Sequence, residues 1–302
     1  MTVRVPASSA NLGPGFDSVG LALGIFDEVE ATVSGTQLVI TVDGHGAGEV
    51  PMDEGHLVWR SACSMWQYLD VDPPRGLILH CHNEIAHSRG VGSSAAAIVV
   101  GLAVGLALVR DGIDDAWSLT LINQLASDIE GHPDNASASV YGGCTLSWAD
   151  DHGGGWRTVR PLLHSQIRPI VFVPAATLST EKARAVLGET VGLSVAASTA
   201  GRSALLIEAI TRDPTLLLPA TRDWLHQEAR RSAYSYSMEL VEWLREDGYA
   251  AAISGAGPAV LVLGTDENVA QIVGLGKEWR VLTPGVPDTG VRIVSRSVRY
   301  TV

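Results

Sequence analysis

Basic side chains are in short supply. Lysine and arginine total 21 against 33 aspartates and glutamates, a formal net charge of −12 at pH 7. Nucleic-acid phosphates are held by clustered Lys and Arg, and no long basic run exists here, so the chain is expected to have no nucleic-acid partner. A nucleotide remains compatible with this charge, because backbone amides, a helix dipole and a metal ion can supply a local positive field. Cysteine is scarce too. Cys63, Cys81 and Cys144 are odd in number and have no CxxC or Cys/His metal spacing, so they read as reduced, core-tolerant side chains. The N-terminal Met-Thr-Val-Arg-Val-Pro lacks the apolar core of a signal peptide. The longest apolar run, residues 95–109, falls short of the roughly 20 residues that cross a bilayer. These absences predict a cytoplasmic protein with no membrane partner. There is also no internal repeat and no low-complexity tail.

What is present suffices for a large core, with 302 residues of which 46% are hydrophobic. Such a length suggests one large or two medium domains. Alternating or β-branched runs predict strands over residues 2–5, 25–33, 38–42, 77–82, 168–173, 249–253, 260–263 and 291–298. Helical spacing predicts helices over 57–69, 93–110, 117–129, from 179, and over 194–211, 237–245 and 267–277. Gly101 and Gly105 suit close helix packing in the run 93–110. The Gly-rich stretch 148–155 reads as a hairpin end or boundary. The class is α+β with a split β-α-β ending. The domain division is set at residues 1–160 and 161–302, near the expected boundary at 155–165.

The most informative stretch is Ala86-His87-Ser88-Arg89-Gly90-Val91-Gly92-Ser93-Ser94-Ala95, a glycine turn running straight into a helix-forming segment. Gly90 and Gly92 can take positive φ, and Ser93 and Ser94 stand where an N-cap and a first-turn hydroxyl belong. Free first-turn N–H groups and the helix dipole would converge on an anion there. No lysine follows Gly92, so this is not the P-loop GxxxxGK[ST], and phosphates must be held by amides and a hydroxyl. Plain helix capping is the competing reading.

Two further Gly/Ser blocks flank it in order along the chain. The first is Pro6-Ala7-Ser8-Ser9-Ala10-Asn11-Leu12-Gly13-Pro14-Gly15-Phe16-Asp17, and the last is Ile253-Ser254-Gly255-Ala256-Gly257-Pro258-Ala259. Together the three blocks resemble the signature motifs of the GHMP kinases. The Gly-Phe-Asp ending of the first block, and Glu130-Gly131-His132-Pro133-Asp134-Asn135 followed by Tyr141-Gly142-Gly143, are most similar to the homoserine kinases. The resemblance implies an N-terminal domain like ribosomal protein S5 domain 2, a C-terminal ferredoxin-like domain, and an active site in the cleft between them.

It also implies ATP as cofactor, with the ten residues 86–95 on the nucleotide and Ser94 near Mg²⁺. A carboxylate must complete the metal site; Glu130 matches the family position and Asp128 is the alternative. The implied reaction phosphorylates the side-chain hydroxyl of L-homoserine in threonine biosynthesis. A carboxylate substrate calls for the planar fork of arginine. The family segment carrying Thr and Arg matches Thr180 and Arg184, and a second arginine matches Arg230, with Arg231 as its adjacent competitor. Asp17 takes the ammonium by resemblance, and Asn11, His132 and Asn135 complete the acceptor site. Asn11, Asn135 and Arg184 are the expected catalytic residues. Asn135 stands where some relatives carry a catalytic Asp and cannot act as a base, which implies catalysis by alignment and charge neutralisation.

Three departures from the family stand out: Ala86 for Pro, Ala229 for Tyr and Thr199 for Asn. Ala86 bears on the nucleotide-base side, whereas Ala229 and Thr199 keep open a paralogue acting on threonine or another small amino alcohol; a non-catalytic metabolite sensor is a more distant reading. Family members are often dimers, so a homodimer is expected.

Overall fold

The computed structural model describes residues 1–178, 180–276 and 278–296. It opens with a long antiparallel hairpin, β1 (Thr2–Asn11) and β2 (Gly15–Val33), then β3 (Leu38–Gly44), α1 (Leu57–Leu69) and β4 (Leu77–Asn83). Three helices follow, α2 (Ser93–Ala107), α3 (Ala116–Glu130) and α4 (Asp134–Tyr141), and then β5 (Cys144–Ala149) and β6 (Trp156–Val159). The second part holds β7 (Ile167–Val173), α5 (Thr180–Ala185), α6 (Leu193–Thr211), α7 (Leu217–Ala220) and α8 (Ser235–Glu246). It continues through β8 (Ala251–Ile253), β9 (Val260–Thr265), α9 (Val269–Gly274), β10 (Arg280–Leu282) and β11 (Arg292–Ser295).

The first sheet runs β11-β1-β2-β4-β3, with β5 on β2 and β6 on β5. Only the β3–β4 pair is parallel among its described ladders. Beneath it lies α2, whose sequence is apolar all round and which is correspondingly buried on nearly every side. Its two glycines let α1 approach closely. A Cβ on Gly101 would lie 2.3 Å from the Val58 carbonyl oxygen, and one on Gly105 would lie 2.9 Å from that of Ala62. Trp66 Nε1 donates to the Gly105 carbonyl at 2.9 Å, which satisfies its one polar atom in the core.

The second sheet is antiparallel, in the order β10-β7-β9-β8. Relative to chain order this is fourth-first-third-second, the arrangement of a ferredoxin-like split β-α-β unit. Phe172, Leu244, Val262 and Ile272 lie in its core. The division at 1–160 and 161–302 puts β7 to β10 in the later part, whereas β11 lies in the first sheet beside β1.

Several expected bounds move. The first strand, expected over 2–5, runs into the first Gly/Ser block: β1 continues through Ser8 and Ser9 to Asn11, both serines fully buried, and β2 begins at Gly15. Small residues allow this, since the strands lie directly under the site. His132-Pro133 leads into α4, with Pro133 at its N-cap. The last helix is Val269–Gly274, with Lys277 outside the described residues. The last strand is Arg292–Ser295, and positions 297 and 298 of its expected span also lie outside them.

Among the described residues one helix, α6, has the length and mean hydropathy (1.2) of a membrane span. Its second half buries Leu206, Ala209 and Ile210 in the core, and Ser203 Oγ donates to the Pro14 carbonyl at 2.8 Å.

Candidate active site

The three Gly/Ser blocks meet at the start of α2. Gly92 is the N-cap with φ 73°, and Ser93 and Ser94 are the first two helical residues, so the cap itself is the glycine and not a serine. A Cβ on Gly92 would lie 2.1 Å from Ser8 Oγ, and one on Gly90 (φ 79°) would lie 2.5 Å from the Ser254 carbonyl oxygen. Backbone and hydroxyl bonds fasten the blocks together. Ser254 Oγ donates to the Gly90 carbonyl at 2.5 Å and lies 2.7 Å from Ser9 Oγ, while Gly255 N donates to the Ala10 carbonyl at 3.1 Å. Among the described residues no N-cap side chain bonds α2, so its first-turn amides and positive dipole end are left to face a cleft of about 280 Å³.

Six of the expected loop residues line that cleft: Ser88, Gly90, Gly92, Ser93, Ser94 and Ala95. His87 instead lines an adjoining, mostly apolar pocket of about 230 Å³ walled by Val29, Pro51, Leu57 and Val58. Burial holds the His87 and His56 imidazoles below their ordinary range, so both are neutral there at pH 7. Arg89 is turned away. Its guanidinium donates to the carbonyls of Pro174 and Ala175 at 2.9 Å each, tying the loop to the end of β7. Ala86 and Val91 are buried on the far side of the loop.

Ser94 Oγ donates to Glu130 Oε1. The two alternatives for a metal carboxylate thus part company in space. Asp128 accepts both from Gln124 Nε2 and from Trp156 Nε1, the latter at 2.9 Å, and does not line the cleft. Glu130 does line it. Burial pushes its carboxyl above the usual range, against the opposing effect of the Ser94 hydrogen bond. A carboxylate with a raised pKa beside a hydroxyl is an oxygen donor pair that a hard cation would complete.

Across the cleft, Arg184 Nη1 and Nη2 donate to the two Asp17 oxygens at 3.2 and 2.5 Å. Asp17 sits at φ 54°, with its amide donating to Asn11 Oδ1 at 3.0 Å, and Asn11 Nδ2 donates to the Gly255 carbonyl at 3.0 Å. Asn11 therefore joins the first and last blocks with both ends of its amide. His132 Nδ1 is 2.7 Å from Asp134 Oδ1, which also accepts from Asn135 N. Burial opposes a charge on His132, but the Asp134 bond and charge outweigh it and raise its pKa. Asn135 Oδ1 accepts from Ser8 Oγ at 3.0 Å. Thr180 opens α5; its side chain, like Ser179, lies outside the described residues.

Arg230 lines the same cleft although it is only 1% exposed. It donates from Nε to the Ala183 carbonyl at 2.8 Å and from Nη1 to His226 Nδ1 at 3.3 Å. Arg231 points outward into ion pairs with Glu228 and Glu242, which separates the two adjacent arginines.

Sequence reasoning missed the residues that hold these arginines. Phe16 carries Arg184 at 5.6 Å and Arg230 at 5.5 Å from its ring centre, with His226 stacked on it at 5.0 Å. Gln227 Oε1 accepts from Ile253 N at 2.6 Å, just before the last block. The Tyr234 hydroxyl is buried with no hydrogen-bond partner among the described residues. Its pKa is raised by that burial, opposed by the neighbouring Arg230. The available signal was the run His226-Gln227, which reads as an ordinary loop until its long-range contacts are known.

Comparison with known proteins follows the same lines. The GHMP kinases N terminal domain matches residues 56–143, and the GHMP kinases C terminal domain matches residues 205–274. The homoserine kinase of Streptomyces avermitilis is 49% identical over 278 residues, 92% of this chain and 90% of its own length. That of Mycobacterium tuberculosis is 45% identical over 267 residues, 88% of this chain and 84% of its own. Among solved structures, the homoserine kinase from Cytophaga hutchinsonii shares the fold at a TM-score of 0.82 and 24% identity, covering 97% of each chain. L. major mevalonate kinase shares it at 0.65 and 15% identity, over 93% and 95%. With its three Gly/Ser blocks fastened around one helix start and relatives near one-half identity along almost its whole length, the chain belongs to the GHMP kinases, in the homoserine kinase family.

Proposed function

We propose that the protein transfers the γ-phosphoryl group of ATP to the side-chain hydroxyl of L-homoserine, with Mg²⁺, giving O-phospho-L-homoserine for threonine biosynthesis. The observation that carries this reading is the opposition of two pairs across one cleft. Ser94 and Glu130 stand at the uncapped start of α2, and Arg184 and Asp17 stand facing them. The α2 amides receive the phosphates, and the apolar pocket beside His87 receives the base. Ser94 and Glu130 would hold Mg²⁺, whose charge offsets that of the β- and γ-phosphates when bound.

An amino-acid zwitterion suits the other wall. Its carboxylate takes the Arg184 fork, with Arg230 behind, and its ammonium takes Asp17. One internal ion pair is exchanged for two pairs with the substrate, so no unmatched charge is buried on binding. Asn135 and Asn11 have no basic atom, and the Asp134 contact raises the His132 pKa against the effect of burial, so we assign these residues to alignment and charge neutralisation. The hydroxyl proton accordingly goes to a phosphoryl oxygen.

A coupled ADP-release assay with ATP, Mg²⁺ and a panel of L-homoserine, D-homoserine, L-threonine, L-serine and mevalonate tests the reading. L-Homoserine should be turned over fastest. Preference for L-threonine would make the protein a paralogue, and no turnover with any of the five would make it a sensor. The reading extends to a cytoplasmic homodimer, supported by the exposed first half of α6, where Leu193 is 86% accessible. Sedimentation velocity reads the oligomer.

A further inference from the structure

We propose that His226 is a positioning residue for the acceptor, fixing Arg230 and the Phe16 ring where the substrate carboxylate arrives. The inference rests on the acceptor reading above and adds to it a residue that touches no substrate.

The His226 side chain is fully buried. Its Nε2 lies 2.9 Å from the Gly13 carbonyl oxygen, which can only accept, so Nε2 carries the proton. The neutral ring then offers its Nδ1 lone pair to Arg230 Nη1, 3.3 Å away. Its face stacks on Phe16 at 26°. Phe16 in turn lies under both Arg184 and Arg230. One imidazole thus touches the first Gly/Ser block, the aromatic platform and the buried arginine.

Its own place is fixed by Asp223, whose buried carboxylate accepts from the amides of Leu225, His226 and Gln227 at 2.8–3.0 Å. Arg230 also donates to Ala183, the residue before Arg184, so the two arginines share one frame. Removing the Nδ1 acceptor would leave a buried guanidinium N–H unpaired and free to turn toward Asp17. A proton on Nδ1 would have the same effect and add repulsion. Burial and Arg230 oppose that proton while Asp223 and Asp17 favour it, and the result lies below the ordinary imidazole range.

Two substitutions separate the ring's atoms. His226→Gln places its amide near Nε2, keeping a donor for Gly13 and losing the acceptor for Arg230. His226→Asn places its oxygen near Nδ1 and keeps that acceptor. In steady-state kinetics His226→Gln should raise the homoserine KM about tenfold, with the ATP KM and melting temperature little changed. His226→Asn should recover most of that loss. It should also lack the rise in homoserine KM expected of wild type as pH falls below the imidazole range.

An unchanged homoserine KM in His226→Gln overturns the proposal, and so does an equal rise in both KM values, which would mark a merely structural residue. If His226→Gln fails to fold, a wild-type acid limb that persists in His226→Asn overturns it instead. Arg230→Ala, measured alongside, tells the two readings apart. If it leaves the homoserine KM alone, the acceptor reading falls with this one; if it raises that KM while His226→Gln does not, only the role of His226 falls.

Discussion

The Ser94 hydroxyl donates to the Glu130 carboxylate, joining the second residue of α2 to the last residue of α3. Both side chains line the cleft at that end of the two helices. In Glu130→Gln the site loses its charged oxygen donor, and kcat should fall by at least about a hundredfold. Asp128→Asn, whose parent carboxylate bonds Gln124 and Trp156 away from the cleft, should change kcat little. The reverse ranking would transfer the metal role to Asp128.

Mg²⁺ dependence should also report on Glu130 through pH. Because burial raises its carboxyl above the ordinary 4.5, protonation competes with the cation at a higher pH than for an exposed glutamate. The apparent Mg²⁺ affinity should therefore drop as pH falls toward that raised value. A titration of activity against Mg²⁺ at several pH values checks it; a flat profile down to the ordinary glutamate range would remove Glu130 from the metal.

Gly92 has no room for a side chain and a backbone that disfavours one. Gly92→Val should abolish measurable ATP binding in a nucleotide fluorescence titration, since the branched side chain would displace Ser8 or unwind the start of α2. Gly112→Ala is the matched control. That glycine has φ 97° and open space for 4 Å around the position a Cβ would take, so only backbone strain of about 1–2 kcal/mol should appear, with ATP affinity retained.

Arg184→Lys keeps the charge and removes the fork that now grips Asp17 at two points. We expect kcat/KM for homoserine to fall about ten- to a hundredfold, corresponding to about 1.5–3 kcal/mol, with the ATP KM unchanged. Arg231→Ala should leave these kinetics unaltered, because its partners are the surface carboxylates Glu228 and Glu242. Damage in Arg231→Ala alone would reassign the acceptor arginine.

Asp27, on β2 at the apolar pocket, is buried and accepts from Ile85 N at 2.9 Å, and its burial raises its pKa to about 7. The folded state thus holds this proton more tightly than the unfolded chain does. The associated stability is complete below the unfolded value of 3.8 and is lost as pH rises through about 7. Asp27→Asn, which can still accept from Ile85, should be the more stable protein at pH 8.5, by on the order of 3 kcal/mol. Thermal melts of both proteins at pH 5.5 and 8.5 decide this, and a constant difference between them would refute it.

The sequence disclosed what depends on neighbours along the chain. The glycine turn before α2 and the close-packing Gly101 and Gly105 are local signals: Gly90 and Gly92 take positive φ, and Gly101 and Gly105 lie against α1. The expected strand stops at residue 5, because small polar residues such as Ser8 and Ser9 seldom fill a central strand, and only their burial under the cleft explains its continuation. That Glu130 and Arg230 line the cleft while Asp128 and Arg231 bond elsewhere depends on helix phase and packed partners that no local signal carries. The Asp223 to Arg230 loop was opaque for a further reason: it has no periodicity, and the bonds that give it meaning reach to Gly13, Ala183 and Ile253.

The pairing of β11 with β1 sets Ser295 beside Thr2. During translation the β1–β2 hairpin emerges before every other described strand, and the outer edge of β1 is covered only when β11 follows. The first sheet therefore cannot be completed on the ribosome before β11 emerges, and a chain that stalls or is clipped after β10 would expose the free hydrogen-bonding edge of β1 to other unfinished chains. The thread order thus makes the last described strand the seal on the first.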